Sequence, residues 1–367
     1  MNQPLRFLFL EPFYGGSHRD FADGLVAHSR HEIHLVTLPD RFWKWRMRGA
    51  AIYWSNRIED PAGYDGLIVS SLLNLADLKA LWGDQCPPAL VYFHENQLTY
   101  PSAPDIRHDH QPGFTNIATA LTARRILFNS HTHRNAFFAA LPEFIRIMPD
   151  FRPNWVTRAV EEKSAVACPG CHFSDSAALK PKEYEQAPLI VWNHRWEHDK
   201  NPQSFFQALR KMMDHGLDFR VALLGEAFAQ MPGVFEQAPH QLGKRLVQYG
   251  RVPSRKKYFK WLERGHIVVS TAFQENFGIA VVEAIRHGCL PLLPDRLSYP
   301  EILPKEFHKA FLYSDQDDLE KKLQDLLLRH PKYSDERRRL SEAMQCFAWE
   351  RRIHQFDEEL VRLTEDK

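Results

Sequence analysis

The chain has 367 residues and a mass of 42.9 kDa, enough for two domains of ordinary size. Lys and Arg total 47 against 46 Asp and Glu, a net charge of +1, so a nucleic-acid-binding surface, if present, must be local. The 44% hydrophobic content suits a soluble globular protein, and no apolar run approaches the ~20 residues of a membrane-spanning helix.

A strand over 5–10 begins almost at once, which leaves no room for a signal peptide and makes a cytoplasmic enzyme the default expectation. Behind it stands Glu11-Pro12-Phe13-Tyr14-Gly15-Gly16-Ser17-His18, a first strand-to-helix loop. Ser17 with Asp20 reads as a capping box opening a helix that carries Phe21, Leu25 and Val26. Gly15 and Gly16 let the backbone come close to a ligand, although a glycine pair in an ordinary turn looks the same. Further strands are expected over 32–37, 66–70, 89–93, 125–129 and 164–168, alternating with helical patterns, which reads as α/β with a parallel sheet. The segment Leu38 to Gly49 interleaves the cations Arg41, Lys44, Arg46 and Arg48 with Phe42, Trp43 and Trp45. That mixture suits contacts to phosphates and stacking on bases, and equally a surface helix with packed tryptophans and solvated cations. The strand over 89–93 runs into His94-Glu95-Asn96-Gln97, a dense polar set at a strand exit, where substrate recognition competes with a structural turn. Cys168-Pro169-Gly170-Cys171-His172 looks like half a zinc site, but no second pair completes a tetrahedral set, so no metal is expected. The five cysteines give no disulfide framework.

A polar break from Ser174 to Gln186 precedes a second strand series at 189–193, 219–224, 246–250, 267–270 and 289–293. After the first of these comes Asn193 to Pro202, in which Asn201 and Pro202 read as N-cap and N1 of the next helix. Arg195 and Lys200 therefore leave one strand-to-helix loop, at the carboxyl end of a strand, where open α/β sheets bind ligands. An Arg grips a diphosphate with its planar fork and a Lys adds a mobile point charge. Behind the strand His266 to Ser270 stands Glu275-Asn276-Phe277-Gly278-Ile279-Ala280-Val281-Val282-Glu283. Asn276 reads as the N-cap, and the amides from Phe277 to Ala280 face an anion such as a diphosphate. Glu283 lies among apolar neighbours, and a carboxylate there needs partners, which sugar hydroxyls supply. The competing reading puts both glutamates on the surface of an amphipathic helix. The loop Leu292 to Glu301 reads as loop chemistry. Ser334 to Leu363 is charged and helical by pattern, with Phe347, Trp349, Ile353, Phe356 and Leu360 as its buried stripe.

The Glu275-to-Glu283 spacing resembles the E-x7-E element of retaining glycosyltransferases with the GT-B fold, in particular family 4, and Arg195 with Lys200 matches that family's Arg and Lys. The resemblance implies two doubly wound Rossmann-like domains facing a cleft: 1–173 for the acceptor, 187–345 for the nucleotide sugar, and a C-terminal helix at 346–367 returning to the first. It implies that Glu283 holds ribose, that Glu275 faces the transferred sugar, and that Arg195 and Lys200 neutralise the leaving diphosphate. Asn276, Phe277, Gly278 and Ile279, with Gly15 and Gly16, would take the phosphates, and Arg251 and Val252 lie where family members hold the base. Glu11 to His18, Leu38 to Ala51 and Tyr92 to Pro101 together resemble the glycosyltransferase-like proteins that mannosylate queuosine in tRNA. That likeness implies GDP-mannose as donor substrate, no cofactor, and the cyclopentene-diol of queuosine as acceptor. His94 would serve the donor sugar or the acceptor hydroxyl, and Lys44, Trp45, Arg46, Arg48, Glu95, Asn96 and Gln97 the acceptor. His108 to Asn116 departs from the family's loop, which leaves the acceptor less well specified than the donor class. Two alternatives keep the same residues: a family 4 transferase acting on a glycan or lipid, with Phe42 to Arg48 as a membrane-facing helix, and a non-catalytic nucleotide-sugar or RNA-binding protein. Intact Arg195, Lys200, Glu275 and Glu283 argue against the second.

Overall fold

The computed structural model describes residues 3–100, 109–174, 187–226 and 231–365. Pro101 and His108, and positions 175–186 of the polar break, lie outside the described residues. The chain divides into two compact units, residues 1–170 with 349–367, and residues 171–348.

In the first unit, β1 (Arg6–Tyr14), β2 (Glu32–Pro39), β3 (Gly66–Ser70), β4 (Ala89–Phe93), β5 (Arg125–Phe128) and β6 (Ser164–Val166) pair in parallel in the order β2-β1-β3-β4-β5-β6. The central strands are apolar runs because a parallel sheet is covered on both faces. Alternation then splits their side chains between two cores. Leu8 and Leu10 join Trp54, Val69 and Phe93, while Phe7 and Phe9 join Phe21, Tyr92, Trp349 and Phe356. The helix Trp349–Glu365 covers this second core with Trp349, Ile353, Phe356 and Leu360. Gly24 and Gly170 make room for it, since a Cβ at either would stand 2.1 Å from the Trp349 ring. Arg125 ties the helix down through two hydrogen bonds to Glu359, at 3.0 and 2.6 Å. Phe347, expected on the same stripe, instead precedes the helix and packs edge-on against Phe277 of the second unit's own fold, 5.3 Å between ring centres.

In the second unit, β7 (Leu189–Trp192), β8 (Arg220–Leu223), β9 (Leu246–Tyr249), β10 (Ile267–Val269), β11 (Leu290–Pro294) and β12 (Leu312–Tyr313) form a parallel sheet ordered β12-β11-β10-β7-β8-β9. The two-residue β12 was too short to show in the periodicity. Strand order reverses between β1 and β3 in one sheet and between β7 and β10 in the other. Such a reversal opens a crevice beyond the carboxyl ends of the two strands, because their helices depart to opposite faces.

Two helix starts differ from the expected ones. The helix Gly16–His28 is entered from Gly15 with no side-chain cap, so Ser17 sits inside the first turn. The helix Ile279–Arg286 begins after Gly278 at φ 102, so the cap is Gly278 and not Asn276. At Ile279–Arg286 the backbone freedom of Gly278 sets the entry where a capping side chain was expected; at Gly16–His28 the cap position is extended, and the positive φ falls on Gly16 at 51.

Candidate active site

At the β7/β10 switch point the loops leaving the two strands are stitched together. Thr271 Oγ1 donates to the carbonyls of Lys200 (3.0 Å) and Asn201 (2.7 Å), and the amide of Phe273 donates to Asp199 O (2.8 Å). Asn201 does precede the helix Pro202–Asp214, in the left-handed region at φ 48, but its side chain bonds Ser204 and caps no amide. Lys200 is 6% exposed. Its Nζ donates to Gln274 O (2.6 Å) and stands 3.1 Å from Asp199 and 3.5 Å from Glu275. Burial pulls its pKa down, but Glu275 and Asp199 outweigh burial and raise it, so the ammonium is charged. Arg195 is exposed at the mouth of the same loop, 3.2 Å from Glu197 and 3.9 Å from Asp199. Two cations and the first glutamate thus share one end of the sheet, although 75 positions separate Lys200 from Glu275.

The helix Ile279–Arg286 carries the second glutamate inward. Helix geometry leaves the leading amides, Ile279 and Ala280, without intrahelical acceptors, while those of Val281 and Val282 bond Gly278 O at 3.0 and 3.1 Å. Asn276 accepts from Gln274 at 3.0 Å, and Ser298 holds the turn by donating to Phe277 O at 2.7 Å. Glu283 is 5% exposed and is gripped by Arg255 (2.8 Å) and Tyr258 (3.1 Å). Asn193, at the exit of β7, donates both to that Tyr258 hydroxyl (2.9 Å) and to Ala280 O (2.7 Å). Arg255, Tyr258 and Asn193 were not anticipated. No local pattern marks them, because only the fold brings residues 28 and 25 positions upstream onto Glu283. Arg251 is exposed 3.5 Å from Glu226 and Val252 is half-buried, beside the end of β9.

At the β1/β3 switch point Glu11 lies fully buried near the end of β1. Its Oε1 accepts from the Phe13 amide (2.9 Å) and from Ser70 of β3 (3.1 Å). His18 enters from the first turn of Gly16–His28, with Nδ1 3.2 Å from Glu11 and Nε2 3.1 Å from Glu95. Burial lowers its pKa, but the two carboxylates more than reverse this and raise it to about 10. His94 stacks on that imidazolium at 4.0 Å, and its own pKa falls well below normal through burial, then the charge of His18. A charged and a neutral histidine therefore lie face to face. Glu11, His18 and His94 bring potential ligand atoms within 4.8 Å of one another, with the His18 ring held between Glu11 and Glu95. Cys168 and Cys171 join no such group among the described residues. Asn96 accepts from the amides of Leu98 and Thr99, both at 3.0 Å, and so builds its own turn. Gln97 is anchored by its amide on Asn116 at 2.7 Å, and Glu95 keeps partial exposure. The space at Gly15 is filled by Asp40, 2.0 Å from where a Cβ would stand, whereas Gly16 at φ +51 is open. His18 and Glu11 stood in the quoted loop motif, but their pairing needed Glu95, from another strand exit, to become visible.

The segment of interleaved cations and aromatics forms the helix Trp43–Ser55, entered from Phe42 at φ 56. Trp45 is 71% exposed, and Lys44 and Arg48 are exposed beside it. Arg46 bonds Pro39 O at 3.3 Å and Arg48 pairs with Asp109 at 3.3 Å. Met47, Ala50, Ala51 and Trp54 are the buried side.

Residues 6–171 match the family model described as tRNA-queuosine alpha-mannosyltransferase N-terminal, and residues 175–345 match glycosyl transferases group 1. A Drosophila melanogaster tRNA-queuosine alpha-mannosyltransferase is 36% identical over 326 residues, covering 86% of this chain and 85% of that protein. Among solved structures, sucrose-phosphate synthase from Thermosynechococcus elongatus superposes with a TM-score of 0.76 at 13% identity, over 99% of this chain and 100% of that one. Anabaena HepE, solved in complex with UDP, gives 0.68 at 14% identity over 98% and 100%. These two likenesses are of fold: the architecture is GT-B.

Proposed function

The chain belongs to the tRNA-queuosine alpha-mannosyltransferase family and is a glycosyltransferase, and from that premise we propose that it moves mannose from GDP-mannose to the cyclopentene-diol of queuosine in tRNA. The observation that carries the donor side is the meeting of Lys200 with Glu275 at the β7/β10 switch point, next to the amides that open Ile279–Arg286. In this reading the diphosphate takes the amides of Asn276 to Ile279, and Lys200 turns to it by giving up its long 3.5 Å contact with Glu275. Arg195, exposed and forked, closes on the same phosphates. The cations and the helix dipole stabilise the charge that develops on the leaving group, and no step calls on a metal. Glu275, once released, faces the sugar. Glu283, held by Arg255 and Tyr258, keeps lone pairs for the ribose hydroxyls, and Arg251 with Val252 flanks the base. In the first unit Gly16 leaves open backbone in the loop before His18, and Asp40 fills the space at Gly15.

On the acceptor side, in the first unit, neutral His94 orients the acceptor hydroxyl and Glu95 accepts from the diol, with Asn96 and Gln97 shaping the loop. Transfer proceeds with retention, the leaving diphosphate taking the acceptor proton. Lys44, Trp45, Arg46 and Arg48 contact the RNA. Work on tRNA places the enzyme in the cytoplasm in this reading; among the described residues no helix is long and apolar enough to cross a membrane. Titration calorimetry with GDP, UDP and ADP tests the donor assignment. GDP should bind tightest, and Glu283→Ala should weaken it at least tenfold. Equal affinity of the variant would remove Glu283 from the donor site, and a preference for UDP would replace the donor.

A further inference from the structure

Resting on the reading of tRNA as the acceptor, we propose that the helix Arg255–Arg264 presents an RNA-phosphate-binding face on the second unit, separate from the Trp43–Ser55 segment of the first. Lys256, Lys260 and Arg264 stand at i, i+4 and i+8, so about 6 Å apart along the axis, with Lys257 beside them. All four are exposed. The opposite side is committed to the protein, with Phe259 and Leu262 buried and with Arg255 and Tyr258 on Glu283. Ser254 caps the first turn on the Lys257 amide at 3.3 Å, and the burial of Phe259 and Leu262 fixes which side faces out.

The contrast with the chain's other charged helices gives this face its meaning. Lys322 pairs with Asp318, Arg329 with Asp325, Arg338 with Asp335 and Glu342, and Arg362 with Glu358 and Glu359, each at helical spacing. On Arg255–Arg264 the sole acid is the half-buried Glu263, and Lys256, Lys257 and Lys260 have no ion pair among the described residues. A chain of net charge +1 has acids to spare, so this local excess is not imposed by composition. Arg264 lies over the Trp261 ring at 4.4 Å, which holds a flat cation at the end of the row. An anionic lipid surface fits less well. An interfacial helix inserts an apolar face, and here that face is already in the core, with no large apolar side chain of the helix exposed. Lysines on phosphates read no sequence, so the face contributes affinity and leaves specificity to the acceptor pocket.

The test uses the full chain carrying Lys256→Gln, Lys257→Gln and Lys260→Gln together, with the paired Arg338→Gln as control. Dissociation constants for queuosine-containing tRNA are measured against KCl concentration. The triple variant should bind at least tenfold more weakly near ~100 mM salt, with a log–log salt slope shallower by about 2 to 3. GDP affinity and Tm should stay at wild-type values, and Arg338→Gln should change nothing. An unchanged slope and affinity in the triple variant would overturn the proposal. So would loss of binding to anionic phospholipid vesicles with tRNA binding intact, which would make the face a membrane contact. If wild-type protein binds the tRNA but adds no hexose, the acceptor chemistry fails while this face still stands or falls on the slope.

Discussion

His18 is a buried cation held between Glu11 and Glu95 and stacked on His94. Its pKa rises from an ordinary 6.5 to about 10 on folding. The folded state therefore keeps a proton that the unfolded chain sheds. The resulting stabilisation is complete below pH 6.5 and is lost as pH climbs through 10. The Tm of the wild type should fall over that window more steeply than that of His18→Gln, and parallel curves would mean that His18 is not held charged. Taking the difference between the two proteins cancels groups common to both, such as Lys163, whose pKa burial lowers to about 8. At the other switch point Arg255→Met should raise the KM for donor about tenfold while kcat changes little, because a charge-assisted hydrogen bond to a carboxylate is worth about 1.5–3 kcal/mol. An equal drop in kcat with unchanged KM would place Arg255 elsewhere in the reaction.

At the scale of elements, the entry to Ile279–Arg286 depends on one glycine. Gly278 sits at φ 102, and a Cβ there would stand 3.1 Å from Ile302. Gly278→Ala should lower stability by about 1–3 kcal/mol and weaken nucleotide binding with it; thermal melts with and without GDP separate the two. Gly24→Ala should cost about 1–3 kcal/mol by driving a methyl into Trp349, with no effect on nucleotide affinity. These two positions also show what the sequence could and could not tell. The spacing of Glu275 and Glu283 was legible because both glutamates and the strand before them are local. The cap falls on Gly278 and not on Asn276 because a glycine at φ 102 sets that turn, and in the first unit Ser17 already lies inside the helix, which has no side-chain cap. The clasp of Arg255 and Tyr258 on Glu283, and of Glu95 on His18, joins separate loops and leaves no mark in any short window.

For the whole molecule, the strands were readable because parallel strands covered on both faces are unbroken apolar runs, as Leu189 to Trp192 and Ile267 to Val269 are. Their order was not readable, and it is the order that brings Lys200 to Glu275 and Ser70 to Glu11. The near-zero net charge says nothing of local excess: the cations of Trp43–Ser55 were legible because aromatics interleave them, whereas those of Arg255–Arg264 carried no such mark. All of this converges on one reaction, and nucleoside mass spectrometry of queuosine-containing tRNA incubated with the protein and GDP-mannose tests it directly. The account predicts queuosine heavier by one hexose, with the product lost in a folded Lys200→Ala variant. Unmodified queuosine alongside consumption of the donor on a glycan or lipid acceptor would contradict it.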